Sequence, residues 1–437
     1  MKVFIETLGC PKNFNDSEFA LGILEKAGHQ EAETPEEADV ILVNTCGFIN
    51  DAKTESIDRI FEMAALCGEE RLLAVSGCLS ERYREELCRE MPEVDIFIGV
   101  NDYDKLPALL DRARKGKQEK SYREEYCDFN DPELRKVAEK PYTATIKIAE
   151  GCDNYCTYCI IPYIRGAYRS RDMEEILTEA RRLADAGTKE LILIAQDISC
   201  YGIDRCGKPL LAELLSELCR IDGLHWIRLL YCYEDKITDE LIETIAREEK
   251  ICPYIDIPIQ HASDRVLRAM NRRSTKESIL STIKKLRDRI PDIHIRTTLI
   301  TGFPGETEED FDELYEFVRS SRFERLGVFA YSYEEGTEAA EMTPQVRQDI
   351  KEERRDSIML LQNGISLEKN QEKIGKTLEV LVEGRDEDGS YFGRSAYDAP
   401  EIDNAVLFTS SAELFPGDFV NVKITDAFDY DLVGEAL

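Results

Sequence analysis

Short apolar runs alternate with helix-spaced stretches from the first residues onward, and the alternation changes character twice along the chain. Up to about residue 114, the runs 3–8, 39–43, 72–76 and 95–99 read as strands. Between them, 16–27 (with Asp16 as the expected N-cap), 52–66, 80–89 and 105–115 have helical spacing. Strand and helix in strict turn predict a parallel, doubly wound α/β sheet. The stretch 117–140 loses the pattern, and Cys127-Asp-Phe-Asn-Asp-Pro132 breaks any helix, which predicts a linker.

A second alternation runs from Tyr142 to about Lys373. Its strands are expected at 143–149, 190–195, 226–231, 254–258, 294–300 and 328–332, with helices such as 173–186, 210–219 and 276–289 between them. Six such units predict a partial (β/α)6 barrel, one quarter short of a closed eightfold one. After a helix-prone stretch at 343–373 the period changes to two. Leu378-Glu-Val-Leu-Val-Glu383 and Phe419-Val-Asn-Val-Lys-Ile424 alternate apolar and polar residues, with turns at Asp388-Gly389 and Pro416-Gly417. This tail has the size and pattern of a small five-stranded antiparallel β-barrel of the oligonucleotide-binding type. The expected domains are therefore 1–115, 138–373 and 374–437.

Composition narrows the setting. At 437 residues and 43% hydrophobic content, large cores can be buried. No apolar run approaches the roughly 20 residues of a membrane helix. The start, Met1-Lys-Val-Phe-Ile-Glu6, reads as a strand and not as a signal peptide. Fourteen cysteines are too few for a disulfide scaffold in such a chain, so a reducing cytoplasm and metal or cluster binding are expected. The net charge of −32 disfavours nucleic acid and favours a basic protein partner. The tail is more acidic than the rest, with fourteen acids against four bases in 376–437. A phosphate-binding barrel needs the opposite balance.

The chemistry lies in two sets of cysteines. Gly151-Cys-Asp-Asn-Tyr-Cys-Thr-Tyr-Cys159 puts Cys152, Cys156 and Cys159 in one loop after the first barrel strand, where such barrels keep their active sites. Structural zinc usually takes four ligands. Three thiolates suit a 4Fe–4S cluster with one open iron, although a partial zinc site or a redox loop has the same ingredients. Cys10, Cys46 and Cys78 each follow one of the first three strands and sit beside a glycine. In a parallel sheet those strand ends share one edge, so the three should converge. Cys67, Cys88, Cys127, Cys200, Cys206, Cys219, Cys232 and Cys252 show no such register and read as core or surface residues. Gln196-Asp197, Gln260-His261 and Gly302-Phe-Pro-Gly-Glu306 share the barrel's strand-end face. Arg165, Arg169 and Arg171 follow the cysteine loop, either as salt bridges or as carboxylate contacts.

The C-x3-C-x2-C run, with Tyr158 before its last cysteine, resembles the radical S-adenosylmethionine (SAM) superfamily. The whole chain resembles its methylthiotransferases, which join an N-terminal cluster domain, a radical SAM barrel and a TRAM barrel. Gly9-Cys-Pro-Lys-Asn13 with Asp16-Ser-Glu18, Ala195-Gln-Asp197, Tyr254-Ile-Asp-Ile-Pro-Ile-Gln-His-Ala262 and Gly393-Arg-Ser-Ala-Tyr-Asp-Ala-Pro-Glu401 resemble the branch that modifies an aspartate of ribosomal protein S twelve. Phe14-Asn15 departs from the aliphatic pair usual there.

The resemblance implies an auxiliary 4Fe–4S cluster on Cys10, Cys46 and Cys78, and a SAM-binding one on Cys152, Cys156 and Cys159. It further implies contacts to SAM from Tyr158 and Gln196, and a flavodoxin- or ferredoxin-type electron donor. SAM cleavage, hydrogen removal at the aspartate β-carbon and transfer of methylated sulfur would follow. Membrane and direct tRNA contacts are not expected. A tRNA adenosine methylthiotransferase is the nearest alternative, and an iron–sulfur electron carrier without SAM the alternative from another class.

Overall fold

The computed structural model describes residues 1–68, 70–114, 118–123, 131–136 and 140–437. Its first sheet holds β1 (Lys2–Thr7), β2 (Gln30–Glu31), β3 (Val40–Thr45), β4 (Leu72–Gly77), β5 (Ile96–Ile98) and β6 (Glu119–Ser121), all parallel, in the order β2-β1-β3-β4-β5-β6. Helices α1 (Pro11–Lys26), α2 (Asn50–Cys67), α3 (Cys78–Glu90) and α4 (Leu106–Ala113) cover it. Every residue of β3 is buried, and its side chains divide between two cores. Val40 and Leu42 pack with Phe19 and Leu109, whereas Ile41 and Val43 pack with Ile60 and Val75. Both faces are covered, as a doubly wound sheet requires.

Three expectations need correction here. Asp16 is not an N-cap. Helix α1 begins at Pro11, whose fixed φ suits the first helical position, and Asp16 lies buried inside it. Strands β2 and β6 are additions, because Gln-Glu and Glu-Lys-Ser carry no apolar signal and are recruited only by pairing with β1 and β5. Strand β6 therefore occupies part of the expected linker. The rest of that linker around Cys127, and the boundaries at 115 and 138, lie outside the described residues.

The second sheet is the six-stranded one expected. It holds β7 (Thr143–Lys147), then, past a two-stranded ribbon of β8 (Ala149–Glu150) and β9 (Arg169–Ser170), β10 (Glu190–Ile194), β11 (Trp226–Leu229), β12 (Ile251–Asp256), β13 (His294–Thr301) and β14 (Arg325–Ala330). All six main strands run parallel in the order β14-β13-β12-β11-β10-β7. Their inward residues, among them Ile146, Leu193, Leu229 and Ile255, form one core with the surrounding helices. The long helix Gln348–Gln371 starts past Pro344 and adds Ile358 and Ile365 to it.

The tail closes into a barrel of β15 (Thr377–Arg385), β16 (Tyr391–Ser395), β17 (Val406–Thr409), β18 (Phe419–Ala427) and β19 (Leu432–Ala436). The β17–β19 pair is parallel, and the other pairs are antiparallel. This barrel is clamped to the second sheet. Glu190, fully buried, accepts from Arg228 Nε at 2.8 Å and Arg394 Nη2 at 2.6 Å. Asp398 pairs with Arg325 and Asp403 with Arg296, so two of the tail's acids face inward.

Burial alone would raise the Glu190 pKa, but Arg394 and Arg228 overcome it and lower the pKa to about 2. The stabilisation is then fully present above the ordinary carboxylate pKa and is lost as pH falls through about 2. Glu190→Ala, which leaves the buried Arg228 with backbone carbonyls alone and Arg394 with Glu383, is expected to cost about 3–5 kcal/mol in denaturant unfolding, and to expose the tail to protease.

Candidate active site

Strands β1, β3 and β4 are neighbours, and their carboxyl ends bring three thiols together. Cys10 caps α1, Cys46 follows β3, and Cys78 opens α3. The approach is close enough that a Cβ on Gly9, at φ +94°, would lie 2.8 Å from Cys46 Cβ and 3.1 Å from its Sγ. Only glycine fits there. Asn13 locks the corner by donating to Leu8 O at 2.9 Å and Thr45 O at 3.0 Å. Burial raises the Cys46 thiol pKa and lifts Cys78 to about 12, with Cys10 and Cys46 adding to the Cys78 shift and Arg165 opposing it.

The loop after β7 and β8 is tied at nearly every residue. Asp153 accepts from Tyr168 N at 3.1 Å, and Asn154 donates to Asp197 at 2.9 Å and accepts from Lys236 at 2.8 Å. Thr157 donates to Met270 O and Ala269 O and accepts from Ala339 N. Cys156 Sγ lies 2.6 Å from Tyr233 Oη, and an arginine, Arg272, stacks on that ring at 4.0 Å. Burial lifts the Cys152 pKa to about 11 and that of Cys159 further, with the other two loop thiols adding to Cys159. Tyr158 is half-buried against the cluster of Val266, Met270, Phe303, Tyr331 and Ala339.

One thiol of the first triad reaches the end of the second triad's loop. Cys78 packs in one apolar cluster with Ile160, the residue after Cys159, and with Ile164 and Val100. Arg165 crosses the same junction. It donates to Cys78 Sγ at 3.3 Å, Asn13 Oδ1 at 2.8 Å and Asp16 Oδ2 at 2.7 Å. Lys147 binds Asp16 at 2.7 Å and Glu150 at 2.8 Å. Burial alone would raise the Glu150 pKa, but Lys147 and Arg165 hold it well below the carboxylate range. Of the three arginines after the loop, Arg165 and Arg171 are in salt bridges, the latter with Glu179 at 2.7 Å. Arg169 donates to backbone carbonyls.

The strand-end residues sort into two kinds. Gln196 donates to Glu150 at 2.7 Å, yet its carbonyl oxygen is buried without a partner, as is that of Gln260, whose φ is +70°. Glu306 accepts from Gly302 N at 2.9 Å and Phe303 N at 3.3 Å, pairs with Arg354, and lies 3.3 Å from His261 Nε2. Gly302 and Phe303 are thus tied to Glu306, whereas His261 Nε2 is buried near it without a hydrogen-bond partner. The side-chain oxygens of Gln196 and Gln260 are unmatched by any described residue, and each such buried acceptor costs about 1–3 kcal/mol until a donor arrives.

Comparison with known proteins follows this geometry. The Radical SAM superfamily model matches residues 146–318, Uncharacterized protein family UPF0004 matches 2–99, and a TRAM domain model matches 374–437. Ribosomal protein uS12 methylthiotransferase RimO of Acetivibrio thermocellus is 49% identical over 445 residues, covering 100% of this chain and 98% of its own. RimO of Clostridioides difficile is 49% identical over 439 residues, covering 100% and 99%. The chain belongs to the RimO family of radical SAM methylthiotransferases.

RimO-family membership brings a 4Fe–4S cluster and SAM as cofactors. The solved radical SAM methyltransferase TsrM of Kitasatospora setae, with tryptophan and a SAM analogue, shares the fold at TM-score 0.55 and 13% identity, over 88% of this chain and 79% of that one. The residues present fit such groups. All six cysteines are free thiols, and the side-chain oxygens of Gln196 and Gln260 await donors. Among the described residues, no group of three or more Cys, His, Asp or Glu is placed to hold a single metal ion. No helix of the described residues is long and apolar enough to cross a membrane. Lys147, Glu150, Tyr233 and Lys236 went unread in the sequence. A lysine inside an otherwise apolar strand, and a polar run after β11, were the available signals.

Proposed function

We propose that the chain methylthiolates the β-carbon of an aspartate in ribosomal protein uS12, with residues 1–115, 138–373 and 374–437 as its cluster, radical SAM and TRAM domains. Cys152, Cys156 and Cys159 hold the SAM-binding 4Fe–4S cluster, and Cys10, Cys46 and Cys78 a second, auxiliary one. Tyr158 and Gln196 line the SAM site. The observation that carries this reading is the contact of Cys78 with Ile160 and Arg165, which puts one thiol of the first triad beside the residue that follows Cys159. When bound, these groups supply a carbon radical and a methylated sulfur, chemistry that no side chain here provides. The protein's part is to bind and orient. The free carbonyl of Gln196 accepts from SAM, Tyr158 packs the loop against Phe303, and Asn13 and Arg165 fix the first triad relative to the second.

Two further parts belong to the same proposal. A flavodoxin- or ferredoxin-type protein delivers electrons in the cytoplasm. The partner is a basic protein and not tRNA, in keeping with a net charge of −32. Binding to uS12 should weaken as salt rises, since exposed charges are screened over about 8 Å at physiological ionic strength. Tighter binding to bulk tRNA than to uS12 would refute the partner. The test of the function itself is mass spectrometry of uS12 from cells with and without this chain. One aspartate gaining a methylthio group only in the first is expected. Substrate deuterated at that β-carbon should pass label to 5′-deoxyadenosine. If the product forms while all label stays in the peptide, β-carbon abstraction is wrong.

A further inference from the structure

Lys12 is the one residue at the junction whose charge the mechanism above leaves idle. It lies two residues after Cys10, in the first turn of α1, and only 8% of it is exposed. Its ammonium sits 3.6 Å from the centre of the Tyr231 ring. Tyr231 follows β11 at the barrel's carboxyl edge, with φ at +66° and its N–H on Asp256 Oδ2 at 3.1 Å. Among the described residues Lys12 has neither a hydrogen bond nor an ion pair. Cys10 acts on it ahead of the two carboxylates Glu150 and Asp256, with Arg165 opposing them, and both carboxylates are already engaged. Glu150 holds Lys147, Arg165 and Gln196, and Asp256 holds Arg296 and Tyr231 N. A ring face replaces only part of the hydration that a buried ammonium gives up. The position therefore destabilises the free protein and suits an incoming anion.

We propose that Lys12 is the anchor for the carboxylate of the target aspartate, pairing with it from beside the Tyr231 ring and so fixing which carbon is presented to the two triads. This rests on the aspartate reading under Proposed function. A carboxylate is one bond from the β-carbon, so a cation in this place sets the reacting atom within the junction and selects an acid over its amide. Neutral side chains lose the pairing while leaving the ammonium buried. Lys12 is a substrate-binding residue in this scheme, and Tyr231 positions it.

The experiment uses the full chain with both clusters loaded, purified uS12, and uS12 whose target aspartate is asparagine. Wild type should bind the aspartate form about tenfold or more tighter than the asparagine form. Lys12→Met should bind the two equally, because only the pairing distinguishes them. Lys12→Met without substrate should also melt no lower than wild type, since an unpaired buried charge is exchanged for an isosteric apolar chain. A wild-type ratio near one, a ratio retained in Lys12→Met, or a lower melting temperature for that variant would each overturn the anchor. A uS12 that wild type binds with the expected preference but never methylthiolates would overturn the function and leave the anchor standing.

Discussion

Replacing Cys152, Cys156 and Cys159 together by alanine is expected to halve the iron of the reconstituted protein and abolish SAM cleavage. Wild type should load about eight irons, two cubanes, since each triad supplies three thiolates and cluster irons need thiolate ligands. The complementary triple variant at Cys10, Cys46 and Cys78 should lose the other half of the iron and all sulfur transfer, yet still cleave SAM. The asymmetry follows from where the triads lie. The loop of Cys152 is held within the barrel by Asn154, Thr157 and Tyr233, contacts that do not involve the first sheet. Iron counts by chemical assay and 5′-deoxyadenosine by chromatography would decide it. Iron unchanged in either triple variant would refute the ligand assignment.

Asp16→Ala is expected to be the costliest single change at the junction, at about 3–5 kcal/mol in denaturant unfolding. Asp16 is fully buried and holds Lys147 and Arg165 at 2.7 Å each, so its loss leaves two buried cations to share Glu150. The same change removes one of the two side-chain bonds from Arg165 to α1, leaving the one to Asn13, and so loosens the guanidinium that contacts Cys78. Asp16→Asn should cost less, because an amide oxygen still accepts from one cation. The two variants compared by equilibrium unfolding test this. A cost for Asp16→Ala no larger than for a surface acid, within about 0.5 kcal/mol, would mean that the network does not hold the junction.

The pattern of the sequence was sufficient for the elements that bury apolar residues with a clear period. All six strands of the second sheet, helices such as Lys276–Arg289, and the closed tail barrel were legible because their stretches repeat at two or 3.6 residues. Cys10, Cys46 and Cys78 were legible for a topological reason, since parallel strands present their carboxyl ends on one edge wherever they fall in sequence, and Cys152, Cys156 and Cys159 from their spacing within one loop. Tertiary structure alone decided the rest. Strand β6 is Glu-Lys-Ser and exists only through its pairing with β5. Asp16 looked like a helix cap because local sequence cannot see Lys147 and Arg165, which arrive from residues more than 130 positions away. The tail acids that counted against a phosphate-binding barrel include Asp398 and Asp403, turned inward onto Arg325 and Arg296. Charge partners across domains carry no periodicity, and so the chain folds them into place without announcing them.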